Sequence, residues 1–250
     1  MQPLHIHRYG RSGARPVVLL HGVTDAGTAW PDLVSHWQER WDIHAPDLRG
    51  HGASPRFAGD QFDAAPDVML DDVLAVLEHI GEPVALLGHS LGGFLALRAA
   101  LARPRNIAAL VLEDPARPSG AHPDPQFVAA NEELLDSMVD PGTQIERMLR
   151  ETPWTRTEVE AWATCKPLVD RRYIARGLFL GEALWEERFE ALTVPTLLIL
   201  PPEAPMAPRP VRNDSVRTVV IPGSGHCVRR DQPDRYHEAV DAFLADHLGA

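Results

Sequence analysis

Short apolar runs alternate with longer amphipathic stretches along this chain, and the alternation predicts buried strands separated by helices. The helical pattern is clearest over residues 67–81, where apolar residues recur at positions 70, 73, 74, 77 and 80 and Gly81 ends the pattern. Predicted strands occupy residues 16–20, 41–47, 83–88, 107–114, 195–200 and 216–223, and predicted helices occupy residues 28–40, 67–81, 91–104 and 233–248.

The order of these elements predicts an α/β fold with a mostly parallel central sheet flanked by helices. Residues 116–190 interrupt the alternation, because they show several helical patterns and no clear strand pattern. We therefore expect a core domain of residues 1–115 and 191–250, with residues 116–190 inserted as a helical segment over one end of the sheet. Ligands of such sheets bind beyond the carboxyl ends of the strands, so residues that follow strands should meet at one edge.

Composition narrows the expected partners. The chain has 250 residues, a net charge of −11 and a pI near 5.5. This charge disfavours nucleic acid or an anionic membrane and leaves a small-molecule substrate as the expected partner. No stretch approaches the ~18 apolar residues of a membrane span, and the first residues lack an apolar core of signal length. With two cysteines far apart, we expect no disulfide framework and a cytoplasmic location; the oligomeric state stays open.

The segment GHSLGG, residues 88–93, follows a predicted strand and precedes a predicted helix. A sharp strand-to-helix turn can hold a serine above the sheet, and glycines at positions 88 and 92 avoid collisions that side chains would cause there. The start of the helix also favours negative charge near the serine. This context predicts that Ser90 is a catalytic nucleophile rather than part of an ordinary Gly-Ser turn.

A serine nucleophile needs a base and donors for a developing oxyanion. Of twelve histidines, His226 is the best candidate base, because it follows the last predicted strand in a loop with Gly223 and Gly225. Candidate oxyanion donors are the backbone N–H groups of Leu91, at the start of the helix, and Val23, in a loop that Gly22 lets pass close to the substrate.

The acid that would orient His226 is ambiguous in the sequence. Glu203 is the only carboxylate in the loop after the predicted strand 195–200, and Asp114 stands at the end of an earlier strand. Asp47 also follows a strand, but it precedes the turn LRGHG and is expected to brace that turn.

Taken together, these segments resemble the α/β-hydrolase family over nearly the full length of the chain. The matching pieces, in the family's order, are LLHGVTD, APDLRGHGAS, LLGHSLGG, LVLEDPA, VPTLLIL and IPGSGHCV. The resemblance implies the α/β-hydrolase fold, the chain order serine, acid, histidine, and a variable lid over residues 116–190.

One loop departs from the family's pattern. Where relatives commonly carry G-x-x-D after the strand that corresponds to PTLLI, this chain has Pro201 and Glu203. We expect Glu203 to be the acid, since its loop is the most frequent place for this residue in the family. Asp114 is the alternative, because five prolines within residues 201–210 can turn Glu203 outward.

The sequence therefore predicts a serine hydrolase that cleaves an ester or related acyl bond, without a metal or an organic cofactor. Carbon–carbon bond hydrolysis, lactonase or cofactor-free haloperoxidase-like activity on the same residues stays open, as does a non-catalytic ligand-binding module. Large apolar residues in the predicted lid would favour an apolar or aromatic substrate if they line the pocket. They are Leu134, Met138, Met148, Trp154, Trp162, Phe179 and Trp185.

Overall fold

A computed structural model describes residues 2–118, 125–177, 180, 184–203 and 205–249 of the chain. A seven-stranded sheet forms its centre, with the strand order β1-β3-β2-β4-β5-β6-β7. All neighbouring strands pair in parallel except β1, which runs antiparallel to β3. The strands are β1 (Ile6–Gly10), β2 (Pro16–Leu20), β3 (Asp42–Pro46), β4 (Val84–His89), β5 (Ile107–Glu113), β6 (Thr196–Leu200) and β7 (Val216–Val220).

The described residues also form ten α-helices. They are α1 (Pro31–Trp37), α2 (Ala65–Ile80), α3 (Leu91–Ala102), α4 (Pro125–Ser137), α5 (Pro141–Glu151), α6 (Arg156–Cys165), α7 (Arg171–Ile174), α8 (Trp185–Glu190), α9 (Val228–Asp231) and α10 (Pro233–Leu248). The predicted α/β fold with a mostly parallel sheet is confirmed, and each predicted strand and helix is present with small shifts at its ends.

Strand β1 is the element that the pattern of apolar runs did not predict. It lies at the edge of the sheet, and its side chains are exposed or half-buried rather than apolar and buried. An edge strand carries less apolar character than a central one, so its sequence IHRYG lacks the continuous apolar run that identifies β2, β4, β5 and β6.

Alternate residues of the central strands build two cores, one on each face of the sheet. Leu86, Leu110 and Leu198 point toward the core that includes α2, α3 and α8. Leu87, Val111 and Leu197 point toward the opposite core, which α1 and α10 cover. This double coverage explains why the strands are continuously apolar and buried. The parallel pairing of β2, β4 and β5 places their carboxyl ends at one edge of the sheet.

Between β5 and β6, the described residues form the helices α4 to α8, joined by turns, and no strand. These helices do not all have the same surroundings. Trp185 and Phe189 of α8 pack with Phe94 of α3 in one of the two sheet cores, so α8 covers the sheet. Trp162 of α6 packs with Met138 in a separate small cluster. The boundaries 116–190 of an inserted lid stay a prediction.

Among the described residues, no helix combines the length and the apolar character that crossing a bilayer requires. Cys165 and Cys227 are both free thiols, and burial raises the pKa of each to about 11. Neither thiol is therefore activated as a nucleophile at neutral pH.

Candidate active site

Ser90 occupies a strained turn between β4 and α3. Its φ of 52° and ψ of −116° lie in a region that residues other than glycine rarely adopt. Three backbone hydrogen bonds hold this conformation: Ser90 N–H donates to the Glu113 carbonyl at 3.0 Å, and the Ser90 carbonyl accepts from Phe94 and Ala116, each at 2.9 Å. The turn thus fixes the serine from both neighbouring elements.

The glycines around Ser90 are required by close backbone approach. A Cβ atom at Gly88 would lie 2.3 Å from the Gly92 carbonyl oxygen, and one at Gly92 would lie 2.0 Å from the Leu20 carbonyl oxygen. Side chains at either position would push α3 away from the strands β2 and β4 that position Ser90. The reason for the predicted Gly-x-Ser-x-Gly arrangement is therefore steric.

His226 reaches this edge from the loop after β7, where Gly223 takes a φ of 81°. Its Nδ1 lies 2.7 Å from Asp114 Oδ2, and because a carboxylate only accepts, Nδ1 carries the proton of this hydrogen bond. Asp114 follows β5 with a φ of 35°, is almost fully buried, and accepts a second hydrogen bond at Oδ1 from Met206 N–H at 2.9 Å. The Asp114 carboxylate is thus held from two sides.

The expectation that Glu203 contacts His226 is corrected by this geometry. Glu203 is exposed and makes no hydrogen bond or ion pair with another described residue. The proline-rich loop instead supplies the backbone N–H of Met206 to Asp114, so it holds the Asp114 carboxylate. The alternative from the sequence, Asp114, occupies the position beside the histidine.

The loop after β2 brings Gly22 and Val23 next to Ser90. A Cβ atom at Gly22 would lie 3.3 Å from Ser90 Cβ, and Thr24, with a φ of 67°, is the third strained residue at this edge after Ser90 and Asp114. Val23 lines the cavity above Ser90, and Leu91 is the first residue of α3, whose N–H has no acceptor within its own helix. Both expected oxyanion residues therefore flank the serine.

A cavity of about 470 Å³ opens above these residues, and both Ser90 and His226 line it. Its apolar lining comes from Phe127, Trp162 and Met206. Of the seven large apolar residues expected in the lid, Trp162 lines this cavity; Trp154, Trp185, Leu134, Met138 and Met148 do not, and Phe179 lies outside the described residues.

A buried network of ion pairs borders the cavity, and the sequence did not predict it. Lys166 Nζ lies 2.7 Å from Asp25 Oδ1, and Arg230 lies 3.2 Å from Asp25 Oδ2. Arg230 also pairs with Glu158 of α6, at 2.9 Å. Burial opposes ionisation of Asp25, but Arg230 and Lys166 outweigh it and hold its pKa well below the ordinary value. The network joins the loop after β2 to α6 and α9.

His89 supports the loop that carries His226. Its Nε2 lies 3.1 Å from the His226 carbonyl oxygen, so this nitrogen donates, and the two rings are 4.7 Å apart. Burial and the neighbouring His226 ring hold the pKa of His89 well below its ordinary value, which keeps the ring neutral. The sequence placed His89 beside the serine but gave no sign of this contact.

One group of possible metal ligands lies outside the cavity. One ligand atom each from His5, His7 and Asp47 lies within 4.8 Å of the others. Asp47 already accepts hydrogen bonds from Gly27 N–H at 2.7 Å and Ala53 N–H at 2.8 Å, as a residue that braces a turn would. Catalysis without a metal or an organic cofactor stays a prediction.

Comparisons with known proteins identify relatives of this chain. Lipase LipV of Mycobacterium tuberculosis is 46% identical over 114 residues, 45% of this chain, and the match spans 42% of LipV's length. A pimeloyl-[acyl-carrier protein] methyl ester esterase of Aeromonas hydrophila is 28% identical over 96% of this chain and 98% of its own. A thermophilic esterase from Thermogutta terrifontis superposes with a TM-score of 0.71 at 24% identity, over 98% of this chain and 94% of its own. The family model described as "Alpha/beta hydrolase family" matches residues 17–239, and the chain therefore belongs to the α/β-hydrolase family.

Proposed function

We propose that this protein is a serine hydrolase that cleaves a carboxylic ester or a related acyl bond of a small molecule. Ser90 is the nucleophile, His226 the general base and Asp114 the acid that orients it. The observation that carries the proposal is the 2.7 Å contact between His226 Nδ1 and Asp114 Oδ2, at the same cavity as a strained serine. The names of LipV and the pimeloyl methyl ester esterase support an ester bond as the target.

The reaction follows from which nitrogen of His226 carries the proton. Because Asp114 takes the hydrogen bond from Nδ1–H, Nε2 is free to accept a proton from Ser90 Oγ as that oxygen attacks the carbonyl carbon. The N–H groups of Val23 and Leu91 would stabilise the tetrahedral oxyanion. When the intermediate collapses, the leaving alkoxide takes the proton from Nε2. Water then repeats the sequence on the acyl-enzyme and releases the acid.

The start of α3 adds to this stabilisation. Its N-terminal N–H groups point toward the serine, and the helix dipole favours negative charge at that end. The ion pairs of Lys166 and Arg230 with Asp25 hold the loop that carries Val23 beside Ser90. The same residues would serve a lactonase or a carbon–carbon hydrolase, so the substrate panel must include those bonds.

The test uses labelling and turnover together. A fluorophosphonate probe should label the native protein and fail to label Ser90→Ala, whereas Ser35→Ala, which removes an exposed hydroxyl on α1, should be labelled normally. Hydrolysis of p-nitrophenyl esters by Ser90→Ala should fall by about four to six orders of magnitude. A probe that does not react with the native protein would identify a ligand-binding module instead. A lactone and a dienone ring-fission compound, assayed in parallel, identify the preferred bond.

A further inference from the structure

The charged groups that line the cavity are mostly cations, although the chain as a whole carries a net charge of −11. Arg117, Lys166 and Arg230 contribute three positive charges to the lining, and Asp25 is the one carboxylate among the residues that line it. The acidic surface would repel an anion at long range. The lining therefore gives the cavity a local preference for anions, although the net charge of the whole protein is negative.

Two of these cations are held in the buried network. Lys166 Nζ donates to Asp25 Oδ1 at 2.7 Å and to the Thr24 carbonyl at 3.2 Å, and these are two of the three hydrogen bonds that an ammonium can donate. Arg230 divides its donors between Asp25 and Glu158. Lys166 is also the only lysine in a chain with 23 arginines. Both side chains are almost fully buried, and the buried carboxylates of Asp25 and Glu158 largely offset their charges.

Arg117 differs from these two residues because no carboxylate among the described residues pairs with it. It is exposed, and it makes no hydrogen bond or ion pair with any other residue in the described part of the chain. Its position is nevertheless fixed by the serine turn, since the N–H of the preceding residue, Ala116, donates to the Ser90 carbonyl at 2.9 Å. The backbone of Arg117 is therefore held beside the Ser90 turn, and Arg117 lines the cavity.

We propose that the cavity selects substrates that carry a carboxylate in addition to the bond that is cleaved, and that Arg117 binds this carboxylate. The proposal rests on the proposed hydrolase function and specifies its substrate class. A guanidinium presents paired N–H donors in the geometry that a carboxylate accepts, and such charge-assisted pairs are the strongest hydrogen bonds in proteins. Because Asp25 and Glu158 offset the charges of Lys166 and Arg230, Arg117 is the cation that supplies the preference for the anion.

The size and lining of the cavity limit the substrate further. A volume of about 470 Å³ accommodates a small molecule. Trp162 lies against the Lys166 ammonium, with Nζ 5.0 Å from the ring centre, and leaves an apolar surface beside the charges. A short aliphatic or aromatic ester with one carboxylate matches both features. The carboxylate can belong to the acyl half or to the alcohol half of the ester, and the experiment separates these two cases.

The experiment compares matched pairs of substrates that differ in one charged group. For the acyl half, the p-nitrophenyl half-ester of succinate is compared with p-nitrophenyl isohexanoate. For the alcohol half, p-acetoxybenzoate is compared with p-isopropylphenyl acetate. In one of these pairs, we expect the native protein to prefer the charged ester by about tenfold in kcat/KM, the size of one charge-assisted hydrogen bond. The preference should shrink at high salt concentration.

The variant Arg117→Gln should reduce that ratio of kcat/KM values to about one. Arg105→Gln is the matched control: it removes an exposed arginine that precedes β5, at the opposite end of the strand that Arg117 follows, and it should retain the full ratio. If the native protein hydrolyses neutral esters without any preference for a charged one, or if the preference survives in Arg117→Gln, the proposal is overturned.

A binding measurement keeps the inference separate from the catalytic proposal. In the Ser90→Ala background, calorimetry should detect binding of succinate, and the added Arg117→Gln substitution should weaken it about tenfold. Succinate binding without any ester hydrolysis by the native protein would uphold the carboxylate site and reject the hydrolase. Ester hydrolysis without succinate binding or charge preference would do the reverse.

Discussion

A Cβ atom at Gly22 would lie 2.9 Å from His89 Nδ1 and 3.3 Å from Ser90 Cβ. The first contact is closer than side chains tolerate, so Gly22→Ala should displace the loop that carries Val23 N–H. Because a small misplacement of an oxyanion donor is costly, we expect kcat to fall by roughly a hundredfold. Gly59→Ala is the control, since a Cβ atom there meets nothing within 4 Å. Full activity in Gly22→Ala would show that this loop does not contribute to the oxyanion site.

The identity of the acid can be tested at the same scale. Asp114→Asn keeps an oxygen for the Met206 N–H, and asparagine tolerates the φ of 35° that Asp114 adopts. Its amide N–H₂ then faces His226 Nδ1 and forces the proton onto Nε2, where the base must be free. We expect kcat to fall by about 10⁴. Glu203→Gln changes an exposed residue without described partners and should stay active. The reverse result would restore Glu203 as the acid.

At the scale of elements, Lys166 connects the end of α6 to the loop after β2 through hydrogen bonds. Its ammonium donates to the carbonyl of Thr24, the residue with a φ of 67°, and to Asp25. Lys166→Met removes both hydrogen bonds and leaves Asp25 with Arg230 alone. We expect the free energy of unfolding, measured by chemical denaturation, to fall by about 3 kcal/mol. The Asp25 carboxylate stays buried in this variant but loses one of the two cations that compensate its charge.

The kinetic constants of Lys166→Met distinguish a role of Lys166 in positioning the loop after β2 from a role in packing alone. The strained loop carries Val23, so in Lys166→Met we expect kcat for a neutral ester to fall by about tenfold while KM changes little. Arg156→Met, which removes an exposed cation at the start of the same helix, should change neither stability nor kcat appreciably. An unchanged kcat in Lys166→Met would show that the contact of Lys166 with Thr24 and Asp25 contributes to stability only.

The elements that the sequence predicted and those that it missed differ in the interactions that stabilise them. Strands β2, β4, β5 and β6 are buried on both faces, and burial leaves a continuous apolar run in the sequence. The nucleophile turn leaves a comparable mark, because only glycine fits at positions 88 and 92. Strand β1 is held by its pairing with β3 at the edge of the sheet, and such pairing leaves only a weak pattern in the sequence.

The acid and the buried ion pairs were beyond the sequence for a different reason. Whether Asp114 or Glu203 reaches His226 depends on the path of two loops, and the spacing of residues does not determine that path. Asp25, Lys166 and Arg230 are separated by long stretches of chain, and they meet only because α6 and α9 pack against the same edge of the sheet. Contacts of this kind leave no periodic pattern.

At the scale of the whole molecule, three fully or almost fully buried histidines cluster near the carboxyl ends of β2, β3 and β4. They are His21, His51 and His89. Burial lowers the pKa of all three, and that of His51 falls to about 3. Each stays neutral in the folded protein at a pH where the unfolded chain, with a histidine pKa near ~6.5, already binds a proton.

The sign of the resulting pH dependence follows from linkage. Because the unfolded state binds more protons below about pH 6.5, the free energy of unfolding should decrease as the pH falls through this value, and His51, with a pKa of about 3, should contribute about 1.4 kcal/mol per pH unit. Above about pH 7 the effect should vanish. Glu113 acts in the opposite direction, since burial raises its pKa and its protonation in acid favours the folded state.

Chemical denaturation between pH 8 and pH 5 measures this slope. His51→Gln should lose about 2 kcal/mol less free energy of unfolding between pH 6.5 and pH 5 than the native protein does. This difference is independent of the stability of the variant at neutral pH. His79→Gln, which replaces an exposed histidine on α2, should leave the slope unchanged. A stability that stays flat from pH 8 to pH 5 would mean that these histidines are protonated in the folded protein. The buried edge that holds Ser90 would then be more accessible to solvent than its packing indicates.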